Sequence, residues 1–479
     1  NAYTSLDETV YMLDRPNNKA DTLKIGFEVM RDVGDGAFLR NEEIDKERGV
    51  ILSEKTSRDS VQMRLMEKQF NALLPNALLA KRFPIGTEEI IKSAPRKAFT
   101  DFYSQYYIPS RMTFVYVGDF DAAEAEKRII ATFGSMKNPA VPGADPKLGK
   151  IPSGQGFKTL VMADPEVATT DLTLLSLAPY ESKPDTRANR GAKLPLGLAN
   201  SILARRFSVL AKKEGSTISG GDAYRQDLFE FVAMGGISVT AKNHDWKAAL
   251  PVLEQELRRA IQHGFNESEL KEVKANLINA YQRAVKSAPS RKTNNLASSL
   301  AKHIHSDAVF STPEDDLAIL RENLAKITVE SCHLALKDLW ATDDITLILT
   351  TKETTDGDGA MLKNLYKGST KTTVTALEKT ADATFAYTDF GKAGTIEKKT
   401  HVKEHDFTQI TFHNGCHCNV KKTDFQKNSV AVAARVGAGK LSMPKDKPGL
   451  DTFASATFTA GGLGKHSTDD LRRILAGRN

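Results

Sequence analysis

Hydrophobic positions in the first 135 residues alternate between a strand-like and a helix-like spacing. β-Branched and aromatic residues recur at strand spacing in "YTSLDETVYML" and in "RMTFVYVGD". Apolar residues at helical spacing run through "NEEIDKERGVILSEKTSRDSVQMRLMEKQFNALL", for which Asn41 is the predicted N-cap. Further helices are predicted in "RKAFTDFYSQYY", ahead of Pro109, and in "DAAEAEKRIIATFG", which ends at Gly134.

A second α/β pattern follows a stretch rich in proline and glycine at 138–156. Strands are predicted in "DLTLLSLAPY", "FEFVAMGGISVTA" and "DITLILTT", and helices in the amphipathic segments between them. The helix in "NESELKEVKANLINAYQRAV" begins with a capping box from Asn266 to Glu269. The polar stretch 356–405 is predicted to be a linker with little regular structure, and a further unit begins near "FTQITFHNGCHCNV". The predicted domains are 1–150, 151–355 and, beyond the linker, 406–479.

Composition is that of a globular protein. Of 479 residues, 40% are hydrophobic and 26% are charged. The net charge of +6 is carried by 66 basic and 60 acidic side chains that are interspersed, which argues against a nucleic-acid partner. No apolar run approaches the roughly 18 residues of a membrane span, so none is predicted.

The ends of the chain and its cysteines add two expectations. The chain starts at Asn1 directly in strand-like sequence and ends in helical sequence, "LRRILAGRN", so it is expected to be an internal piece of a longer protein. The cysteines, Cys332, Cys416 and Cys418, do not form a disulfide framework. Cys416 and Cys418 flank His417, and one face of a short strand explains this spacing better than a metal site.

Candidate chemistry begins with two carboxylates. Glu47 and Glu54 are seven residues apart on a predicted helix, close to two turns, so both side chains face the same way. One interpretation is a solvated acidic face. The other is a site in which one carboxylate binds a metal and the second holds a metal-bound histidine. All ten histidines lie at or after His244, so histidine partners are absent from this part of the chain.

Two groups of histidines are candidates elsewhere. His303 and His305 in "KHIHS" are two apart on a predicted helix and point to different sides, which favours surface or core histidines over metal ligands. His401, Glu404 and His405 spell H-x-x-E-H, a zinc motif of metallopeptidases. The motif lies in the polar linker rather than on an amphipathic helix, so a chance match is the favoured interpretation.

Seven segments distributed along the chain carry a further signal: "NAYTSLDETVYML", "EEIDKERGVILSE", "RFPIGTEEIIKS", "FYSQYYIPSRMTFVYVGDFD", "ADPEVATTDLTL", "NGCHCNVKKTDFQKNSVAVAARVGAGKLSMPKDKPGL" and "AGGLGKHSTDDLRRILAGR". Together they resemble the pitrilysin/insulinase (M16, inverzincin) family of zinc metallopeptidases. The resemblance spans nearly the whole chain and implies an α+β fold of repeated two-layer M16 (LuxS/MPP-like) units, which form half of a clamshell. It also implies that the unit after residue 406 is degenerate, with Thr452, Ser455 and Ala456 at the zinc-motif positions.

The resemblance implies a set of site residues. Glu54 matches the family's glutamate ligand of Zn²⁺ and Glu47 the supporting carboxylate. Asn1, Ala2, Tyr3 and Thr4 match its substrate-binding edge strand, where a peptide adds as a further strand. The family's H-x-x-E-H helix would lie ahead of Asn1, so this chain alone is expected to be inactive.

The expected function is therefore that of a zinc metalloendopeptidase acting on peptides or unfolded protein segments, completed by an N-terminal helix and second-half domains of the same protein. Bacterial relatives with two halves suggest a periplasmic or secreted location. The alternative is a catalytically inactive member of the same fold that acts as a binding or structural subunit. Retention of both Glu47 and Glu54 argues for the enzyme.

Overall fold

The structure is a computed structural model that describes most of the chain. The described residues are 1–15, 17–140, 142–354, 357–378, 384–425, 430–437, 439–458 and 460–478. They form two compact units. The larger unit comprises Asn1–Phe265, Lys292–Phe310 and Ile327–Ala376, and the smaller unit comprises Asn266–Arg291, Ser311–Lys326 and Leu377–Asn479.

Ten strands and fifteen α-helices lie within the described residues. The strands are β1 (Ala2–Thr4), β2 (Thr9–Tyr11), β3 (Lys158–Ala163), β4 (Thr170–Pro179), β5 (Ile218–Leu228), β6 (Val232–Ala241), β7 (Ile345–Thr351), β8 (Ile396–Val402), β9 (Phe407–Phe412) and β10 (His417–Val420). The helices are α1 (Ala20–Asp35), α2 (Asn41–Ser57), α3 (Val61–Leu73), α4 (Glu88–Ser93), α5 (Arg96–Tyr106), α6 (Ala122–Phe133), α7 (Arg187–Leu210), α8 (Trp246–His263), α9 (Glu267–Ser287), α10 (Thr293–His305), α11 (Pro313–Leu324), α12 (Val329–Trp340), α13 (Asp358–Ser369), α14 (Leu450–Phe458) and α15 (Thr468–Ile474). None of the described helices is long and apolar enough to cross a membrane.

A five-stranded sheet organises the second part of the larger unit. Its strand order is β3-β7-β4-β6-β5, with β3 and β7 parallel and the other pairs antiparallel. Leu172 and Leu174 on β4 and Ile237 on β6 are fully buried. Their burial explains why these strands are mainly apolar. The three strand predictions for this region, in the segments that became β4, β6 and β7, are confirmed.

The first part of the larger unit, residues 1–134, contains the β1–β2 hairpin and helices α1–α6. Its aromatic core packs Phe27 of α1 against Phe114, Tyr116 and Phe133 at ring-centroid distances of 5.3, 5.2 and 6.1 Å. Helix α6 ends at Gly134, as predicted.

Two predictions for this part are wrong. The "RMTFVYVGD" segment forms no strand, because a strand needs a hydrogen-bonded neighbour and this segment pairs with none of the described strands. Its alternation is explained by the side chains of Phe114 and Tyr116, which both pack against Phe27. Asn41 is the first residue of α2 rather than its N-cap, which is Arg40.

The long helix predicted from Asn41 onwards is interrupted. It forms α2 and α3, because the side chain of Ser60 accepts a hydrogen bond from the backbone N–H of Met63 and starts a new helix there. Residues 356–405 were predicted to have little regular structure, and this was also wrong, since α13 and β8 lie in this stretch. Helix α13 is held in the larger unit by the buried Leu362, and the hydroxyl of Ser369 donates to Glu254 of α8 at 2.5 Å.

One apolar cluster joins the two parts of the larger unit. It contains Phe70, Leu74, Ala77, Leu79, Ala80, Met162, Leu175, Val232, Met234 and Ile348. Beside it, Arg64 of α3 makes two hydrogen bonds to the carboxylate of Asp164, at 2.7 and 2.9 Å. These bonds, followed by one from the backbone N–H of Glu166, lower the pKa of Asp164 to about 2.

The smaller unit contains the predicted capping box, in which Asn266 and Glu269 each bond the other's backbone N–H at the start of α9. It also contains a three-stranded antiparallel sheet in the order β10-β9-β8. Helix α14 contains Thr452, Ser455 and Ala456. The predicted domain boundaries near residues 150, 355 and 405 stay predictions.

Candidate functional site

The β1–β2 hairpin carries the predicted substrate-binding residues. The side-chain hydroxyl of Ser5 organises its turn, because it donates to Asp7 Oδ1 at 2.6 Å and accepts the backbone N–H groups of Asp7 and Glu8. The backbone N–H of Ser5 donates to the carbonyl of Glu8 at 2.9 Å, which closes the turn. Hydrogen bonds among residues of the turn itself therefore define its conformation.

The hairpin register determines which backbone groups face outwards. Asn1 and Met12 exchange two backbone hydrogen bonds, of 3.0 and 2.7 Å, and Tyr3 is aligned with Val10. Residues of an antiparallel strand alternate between pointing their N–H and C=O groups at the partner and away from it. Asn1 and Tyr3 therefore bond β2, whereas Ala2 and Thr4 direct their backbone groups to the other edge of β1.

That outer edge of β1 is free within the described chain. The sheet that contains β1 has only β2 as its second described strand, and all three residues of β1 are exposed. An unpaired edge is able to accept a further strand through its backbone groups. The structure thus provides the kind of edge that the sequence predicted at Asn1, Ala2, Tyr3 and Thr4, and their role in binding stays a prediction.

Helix α2 carries the two predicted carboxylates on its exposed side. Arg48 attaches the other side to α4, since its guanidinium donates to the carbonyls of Ile91 at 2.5 Å and of Ala94 at 2.6 Å. None of the residues of α2 is buried. Val50 lies between Glu47 and Glu54 on the same helix face and is 56% exposed. Glu47 and Glu54 therefore lie on one face of α2, as predicted, and this face is exposed to solvent.

Glu54 has a cationic neighbour one turn further along α2. Its carboxylate lies 2.6 Å from Arg58 Nη2, and the two side chains are 33% and 68% exposed. An ion pair this exposed contributes little to stability and is able to rearrange. Glu54 is thus accessible to another ligand.

The described residues do not assemble a complete metal site. Among them, no three His, Cys, Asp or Glu side chains converge as metal ligands would. Catalytic zinc normally has three protein ligands and an open fourth position. The carboxylate of Glu54 is of the right chemical type and fits one of these positions.

The H-x-x-E-H match lies in a hairpin of the smaller unit. His401 is on β8, while Glu404 and His405 are in the turn that leads to β9. His401 Nε2 lies 3.5 Å from Asp406, and the three side chains of the motif are at least half exposed. A zinc motif of this kind requires both histidines on one face of a helix, so this geometry agrees with a chance match. Nearby, Cys418 lies on strand β10 and is half-buried. Cys416 is the residue immediately before that strand and is exposed.

A contact between α10 and the hairpin was not predicted from the sequence. His305 Nε2 lies 2.9 Å from Asp7 Oδ2, and His305 Nδ1 lies 3.6 Å from Glu8 Oε2. His303 instead bonds the carbonyl of Ser299 in its own helix and packs against Phe310. The prediction that these two histidines point to different sides agrees with these contacts. The partners of His305 are 298 residues away in sequence, so no local pattern could have identified them.

Comparisons with known proteins identify relatives of this fold. Residues 93–277 match the family model described as "Peptidase M16 inactive domain". The chain is 25% identical over 491 residues to "Probable zinc protease PqqL" of Escherichia coli, which covers 99% of this chain and 51% of that protein. The protein of the same name from Haemophilus influenzae is 22% identical, again over 99% of this chain and 51% of its own length. The chain thus spans about half the length of the curated relatives it matches.

A solved structure shows the same fold. The crystal structure of the first half of the periplasmic protease PqqL from Escherichia coli superposes with a TM-score of 0.71 at 24% identity, covering 79% of this chain and 81% of that one. The mixed α/β architecture is accordingly that of one half of an M16 clamshell. The predicted resemblance to the pitrilysin/insulinase (M16) family and the predicted fold class are confirmed, since the chain is similar to M16 proteases over nearly its whole length.

Proposed function

We propose that the whole protein containing this chain is a zinc-dependent metalloendopeptidase that hydrolyses peptides or unfolded protein segments. The observation that carries this proposal is the free outer edge of β1, with the backbone groups of Ala2 and Thr4 directed outwards. A peptide that pairs with this edge gains main-chain hydrogen bonds whatever its sequence, which suits a protease for unfolded segments. The relatives named zinc proteases support the metal and the reaction.

Glu54 is proposed as a zinc ligand and Glu47 as the carboxylate that orients a metal-bound histidine. Their common exposed face on α2 supports these roles, because Arg48 attaches the helix through its other side. The remaining ligands would have to come from other parts of the protein, since Glu54 supplies only one. A periplasmic location is proposed from the relative whose structure is described as a periplasmic protease.

The zinc assignment is tested in the complete protein with Glu54→Gln, which keeps the size of the side chain and removes its charge. We expect loss of bound zinc and of peptidase activity with unchanged circular dichroism. Glu43→Gln removes another carboxylate of the same helix, one that is paired with Lys46 and 63% exposed, and this control variant should keep both. Wild-type zinc content in Glu54→Gln would overturn the ligand assignment. A wild-type protein that binds no zinc would favour an inactive, peptide-binding member of the family.

The strand assignment is tested with Thr4→Pro, which removes the outward N–H of Thr4 and leaves the inward bonds to β2 intact. Proline is tolerated on an edge strand at such a position. We expect a higher KM for peptides, whereas Thr4→Val, which keeps the N–H, should retain the wild-type KM. Equal KM values for Thr4→Pro and wild type would show that peptides do not pair with this edge.

A further inference from the structure

The turn of the β1–β2 hairpin is held from outside by His305. Its Nε2 donates to Asp7 Oδ2 at 2.9 Å, because a carboxylate is only an acceptor, and its Nδ1 faces Glu8 Oε2 at 3.6 Å. Nε2 therefore hydrogen-bonds Asp7, while Nδ1 lies near the Glu8 carboxylate without a hydrogen bond. His305 is thus placed to hold two successive residues of the turn.

The contact extends from the turn to the middle of β1. The second carboxylate oxygen of Glu8 accepts a hydrogen bond from the hydroxyl of Tyr3 at 2.9 Å. Partial burial, followed by this hydrogen bond, raises the pKa of the Tyr3 phenol, so the hydroxyl remains a donor at neutral pH. His305, Glu8 and Tyr3 therefore form a continuous connection from α10 to the predicted substrate strand.

Helix α10 itself is anchored just beyond its C-terminal end. Arg190 Nη2 donates to the carbonyl of Val309 at 2.7 Å, and the carboxylate of Asp185 accepts the N–H of Val309 at 2.9 Å. Asp185 and Arg190 are also paired with each other, at 2.5 and 2.7 Å. Because α10 has no buried residue, these polar contacts are an important restraint on the end of the helix that carries His305.

The hairpin has two other anchors. Leu6 of the turn packs against the apolar cluster that contains Phe70 and Met162. At the open end of the hairpin, the hydroxyls of Tyr11 and Tyr107 are 2.7 Å apart. An apolar contact is non-directional, whereas the hydrogen bond from His305 to Asp7 is directional. The His305 contact is therefore suited to fixing the orientation of the strands.

We propose that His305 is a positioning residue for peptide binding: by holding Asp7 and Glu8, it orients the free edge of β1 that receives the substrate. The inference rests on the proposed function, in which peptides pair with that edge. It adds a residue from a distant helix that contacts Asp7 and Glu8 in the turn of the hairpin. Its effect is exerted through the hairpin alone.

The first test needs no enzymatic activity. Amide hydrogen exchange is measured on the complete protein with His305→Ala, His303→Ala and His305→Arg. We expect the inward amides of Tyr3 and Val10 to exchange about two- to fivefold faster in His305→Ala, the range that a partly exposed ion pair supports. His303→Ala is the matched control, since His303 bonds Ser299 and packs against Phe310. His305→Arg should restore slow exchange, because arginine has several donors for two carboxylates.

The second test uses peptide hydrolysis by the complete protein. His305→Ala should raise KM by a similar factor of about two to five with kcat nearly unchanged, and His305→Arg should restore KM. A lower kcat at unchanged KM would overturn the positioning role, as would wild-type exchange of Tyr3 and Val10 in His305→Ala. Faster exchange in a protein whose wild type has no peptidase activity would support the role of His305 in hairpin order while refuting the proposed function.

Discussion

Residues 1–134 and residues 158–351 of the larger unit differ in how their strands are paired and how far their helices are buried. The second region has a five-stranded sheet, and its helices α7 and α8 bury seven and eight residues. In the first region, the described strands form only the β1–β2 hairpin, and helices α2 and α5 have no buried residue. The predicted site residues lie in the first region, on elements with little apolar support.

This difference indicates what keeps the predicted site ordered. A two-stranded hairpin is at best marginally stable on its own, so its order depends on contacts with its surroundings. In the hairpin, Leu6 packs against the apolar cluster, and Tyr107 and His305 contact the hairpin from outside. Helix α2 is attached through its own Arg48. Site geometry in this region should therefore respond to the loss of single polar contacts, whereas the second region should respond mainly to loss of apolar volume.

The largest expected effect is a change in the free energy of unfolding, which should be large for a buried residue of the second region and small for an exposed residue of the first. Ile237→Ala on β6 removes a fully buried side chain and should lower the free energy of unfolding by about 2–5 kcal/mol. Val50→Ala on the exposed side of α2 should change it by about 0.5 kcal/mol or less. The midpoint of denaturant unfolding, followed by far-ultraviolet circular dichroism so that helices of both regions contribute, measures both variants. Similar shifts for both variants would contradict the contrast.

Much of the fold is predictable from local patterns. Gly134 marks the end of α6 and the capping box of Asn266 and Glu269 marks the start of α9, because both signals act within a few residues. The segment of Phe114 and Tyr116 shows the limit of this approach. Its alternation is that of a strand, but strand formation depends on a partner elsewhere in the fold.

The candidate site likewise has one part that local patterns predict and another that depends on distant contacts. The common face of Glu47 and Glu54 follows from helical periodicity alone, and α2 confirms that both lie on one helix. The contact of His305 with Asp7 could not be predicted, since it depends on how distant segments fold together. The H-x-x-E-H letters at 401–405 agree with the motif, but their hairpin conformation does not, because the spacing has its chemical meaning only on a helix.

An intermediate effect is expected where the two regions are joined by Arg64 and Asp164. The folded-state pKa of Asp164, about 2, lies below the ordinary value for aspartate of about 3.9. This contact therefore contributes stability above pH 4, and the contribution is lost as the pH falls towards 2. Asp164→Asn should lower the Tm at pH 5 and should show a smaller further decrease between pH 4 and pH 2.5 than wild type.

The matched control for Asp164→Asn is Asp227→Asn, which removes a surface carboxylate paired with Arg225 in the second region alone. That variant should follow the wild-type Tm across the same pH range, because an exposed pair contributes little. If Asp164→Asn and wild type lose the same number of degrees between pH 4 and pH 2.5, the Arg64–Asp164 contact does not contribute to joining the regions.

The smallest effect is expected outside both regions, at the H-x-x-E-H match. The side chains of His401 and His405 are 53% and 67% exposed in a hairpin of the smaller unit. Exposed substitutions of this kind change the free energy of unfolding by about 0.5 kcal/mol or less. His401→Ala combined with His405→Ala should leave the zinc content and peptidase activity of the complete protein unchanged, whereas Glu54→Gln should abolish both. Zinc loss in the double histidine variant would instead assign the metal to the smaller unit, and the open face of α2 would then be only a solvated acidic surface.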